Sequence, residues 1–446
     1  MDNRKENYTF NPGPKSFWIF LNKNDLYVDK TDLIYHINEK VNTSDRFICV
    51  TKPRLFGKTV IVDMLTAYYS FSDNPTDIFD DKNLSKKKEW NKYLGKFNVI
   101  FLNMVSYFTD YRIKKGIKRI KKDIIDEVED TIENFKFNDK NDIVRIFKDI
   151  QRNTHRDIIL IIDEWDWVFR NKFYGEKSQK EYLKFLDELI KDNNEFIALT
   201  YMTGILPIKK YDGYSSINNI VEISMTSPCW MAKYVGFTEN EVKELLKRYK
   251  GNEELDTLQN NSTSKKQKHD KNIKINDKEK NSLTNEEYED LIHKNEPNLN
   301  NIKKRYEGYQ LENEKTHEIY KIYSPWSIIK ALRHNNIENH WNRTGTYLTL
   351  EKYITENFLG LKEDVIRLRN REKVTVDINT YQNDMASFTC KDDILTHLVH
   401  LGYLTYDSSS KQVYVPNEEV LNVFFLSTRS DQWNALERKL RKQNKT

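Results

Sequence analysis

The residues best suited to chemistry lie in two short phrases, widely separated along the chain. The first is Lys52-Pro53-Arg54-Leu55-Phe56-Gly57-Lys58-Thr59-Val60, entered from an apolar run at 46–50 and continued by helical periodicity. The second is the apolar run 158–162 that ends in Asp163-Glu164. A nucleoside triphosphate brings several negative charges that must be held in a cleft of low dielectric. Backbone N–H groups at a helix start supply donors for them, aided by the helix dipole. Gly57 allows close approach and a positive φ. Lys58 can reach the β- and γ-phosphates as a point charge, and Thr59 can offer its hydroxyl to Mg²⁺. Asp163, at the carboxyl end of a strand, can hold the same ion through water. Glu164 is the candidate to polarise the attacking water. The usual pattern, G-x-x-x-x-G-K-[ST], has a glycine where this chain has Lys52, with Pro53 after it. Either phrase alone is a weak signal; the pair in this order is a stronger one.

These phrases need strands and helices to position them. Apolar runs at 46–50, 99–104, 158–163, 196–203 and 221–224 predict buried parallel strands. Helical patterns stand between them, at 59–69, at Ile113, Ile117, Ile120, Ile124 and Val128, and at 180–191 with Tyr182, Phe185, Leu186 and Leu189. Such alternation predicts right-handed crossovers and a doubly wound, mainly parallel α/β sheet. Ligands of such sheets sit at the carboxyl ends of the strands, where both phrases fall.

Other residues have two readings each. Thr203, ending the fourth apolar run, could sense a γ-phosphate by bonding the attacking water, or could cap the next turn. Arg54 could touch phosphate in cis, reach a neighbour's nucleotide, or be a surface arginine. Asp29 and Thr31 could line the base or ribose, or could satisfy free N–H groups at a helix start. Tyr306, Tyr309 and Trp326 fit core or lid aromatics better than stacking platforms. Arg343 is a weaker arginine-finger candidate.

The 446 residues are 38% hydrophobic and 13% aromatic, enough to bury substantial cores. With 72 basic and 68 acidic residues the formal charge is only +4, so nothing global calls for nucleic acid, although that partner stays open. Cys49, Cys229 and Cys390 are too scattered for a metal or redox motif, and no apolar run approaches a membrane span. An intracellular setting, cytoplasmic or nuclear, is expected. The division expected is 1–245 for the sheet domain, 246–285 for a disordered insertion rich in Asn, Lys, Ser and Asp, 286–385 for a helical lid-like region, and 386–446 for a winged-helix-like unit with a C-terminal helix. In the last, 393–401 is predicted helical and 404–407 pairs with 412–415 around a turn. Lys265, Lys266, Lys268, Lys271 and Lys274 in the insertion read as a solvated loop or an anion-contact patch.

Several phrases resemble the predicted AAA-ATPase-like family, P-loop proteins often joined to a PD-(D/E)XK-type nuclease domain. They are Tyr27-Val28-Asp29-Lys30-Thr31, Lys52 to Thr59, Asp163-Glu164-Trp165-Asp166, Thr203-Gly204, Gly236-Phe237-Thr238-Glu239, Tyr306-Glu307-Gly308-Tyr309, Tyr323-Ser324-Pro325-Trp326-Ser327 and Trp341-Asn342-Arg343-Thr344-Gly345. In that family Arg usually stands where Lys52 does, which accounts for the missing glycine; Leu55 replaces another Arg. The resemblance implies ATP binding with slow or regulated hydrolysis; with the Mg²⁺ that Thr59 and Asp163 suggest, the first reading is a nucleotide-driven conformational switch. A protein partner or self-association is compatible with it. A pseudo-ATPase scaffold and a DNA-binding regulator are the alternatives. Glu372-Lys373 beside Val374-Thr375-Val376 lacks a paired acid, so no nuclease activity is expected.

Overall fold

The structure, a computed structural model, describes residues 8–190, 195–208, 219–260, 296–341, 360–381 and 388–428, together with Ile354 and Trp433. Contacts divide the chain into two compact units, one of Met1–Cys229 with Asp377–Gly402 and one of Trp230–Val376 with Tyr403–Thr446.

The first unit is built on a five-stranded sheet. In chain order its elements are α1 (Lys15–Lys23), α2 (Leu33–Asn38), β1 (Phe47–Thr51), α3 (Lys58–Tyr69), β2 (Asn98–Asn103), α4 (Met104–Tyr107), α5 (Ile113–Thr131), α6 (Ile143–Thr154), β3 (Ile158–Asp163), α7 (Trp167–Arg170), α8 (Glu176–Ile190), β4 (Ile197–Gly204) and β5 (Val221–Ile223). All pairings are parallel and the strand order is β2-β3-β4-β1-β5. This is the doubly wound, parallel α/β sheet that the alternation predicts, of the kind the P-loop resemblance implies.

The strands form because they are apolar on both faces. Every residue of β1, β3 and β4 is buried. Ile100, Leu102, Ile158, Leu160 and Ile162 share one core with Ile120 and Ile124 of α5, Ile146 and Phe147 of α6, and Leu186 of α8. The intervening Ile159 and Ile161 face the other way and are equally buried. A strand buried on both sides needs this continuous apolar run rather than alternation. α5 shows the helical counterpart: Ile113, Ile120, Ile124 and Val128 are buried while Lys114, Lys115 and Lys118 are exposed. Asp142 starts α6 by accepting the N–H groups of Val144 and Arg145.

The second unit begins with β6 (Phe237–Thr238) and α9 (Glu239–Asn260), then α10 (Leu299–Tyr306), β7 (Tyr309–Asn313), β8 (Glu318–Tyr323), α11 (Pro325–Arg333), α12 (Leu361–Arg369) and β9 (Val374–Thr375). α13 (Lys391–Leu401), which belongs to the first unit, precedes β10 (Thr405–Asp407), β11 (Gln412–Tyr414) and α14 (Glu418–Ser427). Two small antiparallel sheets result, β6-β8-β7 and β10-β11-β9. The predicted strands at 404–407 and 412–415 are present as β10 and β11.

Two stretches differ from their sequence reading. The region from 286 carries the β7–β8 hairpin besides its helices. Only Tyr309, Leu311, Ile322 and Tyr323 of these strands are buried, so alternation is too short to stand out among Glu, Lys and Asn. α9 continues to Asn260, well into the stretch 246–285 expected to be a disordered insertion. Residues 253–258 are Glu, Glu, Leu, Asp, Thr and Leu, which still tolerate a helix. The lysines at 265–274, Arg343 and the expected C-terminal helix, except Trp433, lie outside the described residues.

Candidate active site

β1 leads into the loop 52–57, and α3 begins at Lys58. Gly57 precedes it with φ 77°, in the left-handed region that glycine enters without penalty. A Cβ at Gly57 would meet nothing within 4 Å, so the loop borders open space there. Leu55 is also left-handed, at φ 68°, where a branched side chain is strained by roughly 1–2 kcal/mol. Along this loop Lys52, Pro53 and Phe56 are buried, Gly57 and Val60 half-buried, and Arg54, Leu55 and Thr59 exposed.

Sheet register brings the second phrase to the first. Asp163 of β3 pairs with Thr203 of β4, and Thr203 pairs on its other side with Val50 of β1. Thr51 pairs with Gly204, and the Lys52 N–H donates to the Gly204 carbonyl at 3.0 Å. Strand ends carrying Lys52, Asp163 and Thr203 therefore lie side by side. Lys58 is only 7% exposed. Its Nζ donates to the carbonyls of Lys52 at 3.2 Å and Pro53 at 3.1 Å, and lies 3.9 Å from Glu164 Oε1.

The electrostatics are those of a desolvated site. Burial lowers the Lys58 pKa, partly offset by the Glu164 carboxylate. Burial also lowers that of Lys52, with Lys30 and Lys58 adding to the effect. Burial, then the neighbouring Glu164 charge, pushes Asp163 up to about 7. Asp163 Oδ1 is buried without a hydrogen-bond partner. An orphaned carboxylate oxygen beside a cation-holding loop, with open space above Gly57, fits a magnesium nucleotide. In that arrangement Lys58 and the loop amides would face the phosphates, and Thr59 and Asp163 would face the ion.

Two residues beside the site carry no role in the sequence reading: Asp166, which stands in the family-like phrase, and Arg170. Asp166 is fully buried and its Oδ2 accepts the N–H groups of Ile205 at 3.0 Å and Leu206 at 2.8 Å. Arg170 donates from Nε to the same oxygen at 2.9 Å, and its Nη2 contacts Glu164 Oε2. The signal available was an acid followed four residues later by a base, the spacing that meets on a helix. Gly204 is explained by the same cluster: a Cβ there would lie 2.7 Å from Trp165 Cδ1 and 2.8 Å from Asp166 Oδ1.

Asp29 and Thr31 satisfy helix-start amides, but distant ones. Asp29 Oδ2 accepts from Asn83 N–H at 2.6 Å and Thr31 Oγ1 from Leu84 N–H at 3.1 Å, fastening the 3-10 turn Asn83–Lys86. Tyr306 and Tyr309 are core, while Trp326 is 41% exposed. Among the described residues no helix is long and apolar enough to cross a membrane.

No curated protein matches the chain. Among solved structures, the Aeropyrum pernix ORC2 protein (ADPNP-ADP complexes) aligns over 91% of this chain and 98% of its own, at 11% identity and a TM-score of 0.32. At that score the fold rests on the strand order and register of this protein itself. The profile of the family described as Predicted AAA-ATPase matches residues 12–213, which span β1 to β4, the loop 52–57 and the acid-tipped strand. The resemblance read in the sequence is matched over that span: residues 12–213 are similar to the family described as Predicted AAA-ATPase.

Proposed function

We propose that the chain binds ATP with Mg²⁺, hydrolyses it to ADP and phosphate, and uses the nucleotide state to switch conformation. The observation that supports this most is the meeting of Lys58 and Glu164 at 3.9 Å beside an unpartnered Asp163 oxygen, from segments remote in sequence. In this reading the amides of 52–60 and the Lys58 ammonium hold the β- and γ-phosphates. Thr59 and Asp163 hold the ion, whose charge neutralises the phosphate oxygens when bound. Glu164 polarises the attacking water, and Thr203, between Val50 and Asp163, senses the γ-phosphate end. Adenine is taken from the family resemblance. In this reading exposed Arg54 would reach a neighbour's nucleotide, and a second copy or another protein would receive the output.

Of the winged-helix-like reading of 386–446 the hairpin β10–β11 is present, with its turn after Asp407, whose Oδ1 accepts from Ser409 and Ser410 N–H, while its helix α13 groups with the first unit. We assign it no DNA-binding role.

The test is Mg²⁺-dependent ATP turnover by the full chain and by Glu164→Gln. Turnover in the wild type, lost in the variant while ATP binding persists, is the expected result. Equal turnover in both would remove Glu164 from the mechanism.

A further inference from the structure

Glu164 stands between two cations. Oε1 faces Lys58 Nζ at 3.9 Å, and Oε2 contacts the Arg170 guanidinium. That guanidinium, 3% exposed, also donates to Asp166 Oδ2 at 2.9 Å. Asp166 is itself fixed by the N–H groups of Ile205 and Leu206, on the backbone leaving β4 just after Thr203. The Arg170 guanidinium further lies 5.6 Å from the Trp167 ring centre. One planar fork thus joins a carboxylate tied to the end of β4 and a carboxylate that faces the phosphate-loop lysine. Two local features make this geometry. Glu164 adopts φ 56°, turning the chain sharply at the end of β3. The single turn of α7 then brings Arg170 back over Asp166.

A purely structural ion pair would be complete with Asp166 alone. Burying an arginine is costly unless its charge is fully matched, and here the matching is divided with a residue on the cleft. A glutamate carboxylate, with three rotatable bonds before its oxygens, needs a fixed partner to present one oxygen in one direction. Holding Oε2 leaves Oε1 aimed toward Lys58.

We propose that Arg170 is a positioning residue for Glu164: it holds the carboxylate in its working orientation and links it, through Asp166, to the end of the strand that carries Thr203. The inference rests on the reading of Glu164 as the water-polarising group.

The experiment compares wild type, Glu164→Gln, Arg170→Lys and the double variant in the full chain. It measures ATP turnover, binding of a fluorescent ATP analogue, and thermal unfolding. Lysine keeps a cation for Asp166 but cannot span both carboxylates. Arg170→Lys is expected to lose on the order of tenfold or more in kcat with Kd for the analogue within about threefold. Added to Glu164→Gln it is expected to cost nothing further in the residual turnover that variant keeps, because Arg170 acts on turnover through Glu164. Arg170→Gln, which keeps an N–H donor for Asp166, reads the same way if the lysine variant does not fold. Wild-type kcat in Arg170→Lys overturns the inference. So do multiplying effects in the double variant, or a Kd that moves as far as kcat. Equal turnover by wild type and Glu164→Gln instead sinks the reading of Glu164, and this inference with it; the first comparison therefore tells the two failures apart.

Discussion

A lysine ammonium buried to 7% exposure is held where it is by what it bonds, and Lys58 bonds two loop carbonyls rather than a carboxylate in close contact. Carbonyl oxygens are partial charges that phosphate oxygens can outcompete, so the ammonium is kept dry and available. Replacing Lys58 by Met removes the charge while keeping most of the volume. ATP affinity is expected to fall by about a hundredfold, the worth of a charge-assisted contact or two. Nucleotide-free stability is expected to stay within about 1 kcal/mol, because a desolvated cation is exchanged for an apolar chain. Equilibrium binding of a fluorescent ATP analogue and urea unfolding read the two quantities, and a variant that binds ATP as before would refute the assignment. At this scale the motif residues were legible because chemistry dictates their types: Gly57, Lys58, Thr59, Asp163 and Glu164 can each be named from sequence. Arg170 was not, because an arginine after a Trp-Val-Phe run reads as an ordinary helix residue until Glu164 and Asp166 are seen on either side of its guanidinium.

Elements matter here through their ends. The carboxyl ends of β1, β3 and β4 present Lys52, Asp163 and Thr203, and the register between them leaves little latitude. Gly204 sets one limit. Ala at this position places a Cβ 2.7–2.8 Å from Trp165 and Asp166 Oδ1, so the buried carboxylate must move. Gly204→Ala is expected to lower stability by about 1–3 kcal/mol, as overpacking does, and to depress turnover by disturbing the Asp166–Arg170–Glu164 chain. Denaturant unfolding together with steady-state turnover tests this, and an unaltered kcat would separate Gly204 from the site. Gly308 sets a second limit in the other unit. Its φ is 151° and a Cβ would fall 1.5 Å from the Pro416 carbonyl oxygen, a backbone atom that cannot swing aside. Gly308→Ala is expected to cost about 3 kcal/mol or more and to loosen the β7–β8 hairpin first. Hydrogen exchange at Leu311 and Ile322 is the readout; native protection there would contradict the close approach. The parallel strands were legible from their two-sided apolarity. The hairpin was not, since its outward residues Glu318, Ile319 and Lys321 are exposed and break any simple pattern.

At the scale of the whole molecule, four titratable groups of the first unit pull stability in opposite directions with pH. Burial depresses His397 and His400 from 6.5 to about 3, with His397 adding to the effect on His400. Their contribution is present above 6.5 and is lost as pH falls toward 3, because the unfolded chain takes up protons the folded one refuses. Burial raises Asp63 from 3.8 to about 6, and burial with the Glu164 charge raises Asp163 from 3.8 to about 7. Their contribution is present below 3.8 and is lost as pH rises through those values. Between pH 4 and 6 the folded unit therefore lacks two histidine protons and holds two carboxyl protons, and the uptakes nearly cancel. That the helix bearing His397 and His400 shares a unit with β3 follows only from the three-dimensional structure. Tyr381, whose hydroxyl lies 2.6 Å from His397 Nδ1, has its own pKa raised by burial and by Glu222 and Asp166 of the sheet region. No periodicity in 377–402 announces that placement. The wild-type chain, without Mg²⁺ or nucleotide, is expected to show little change in stability from pH 6 to 4.5. The double variant Asp63→Asn, Asp163→Asn leaves the histidines unopposed and is expected to lose about 2.7 kcal/mol per pH unit of acidification, two protons' worth. Urea unfolding at half-unit pH steps measures both slopes. A steep acid slope already present in the wild type, or a flat one in the double variant, would show that these four groups are not balanced in one folded unit.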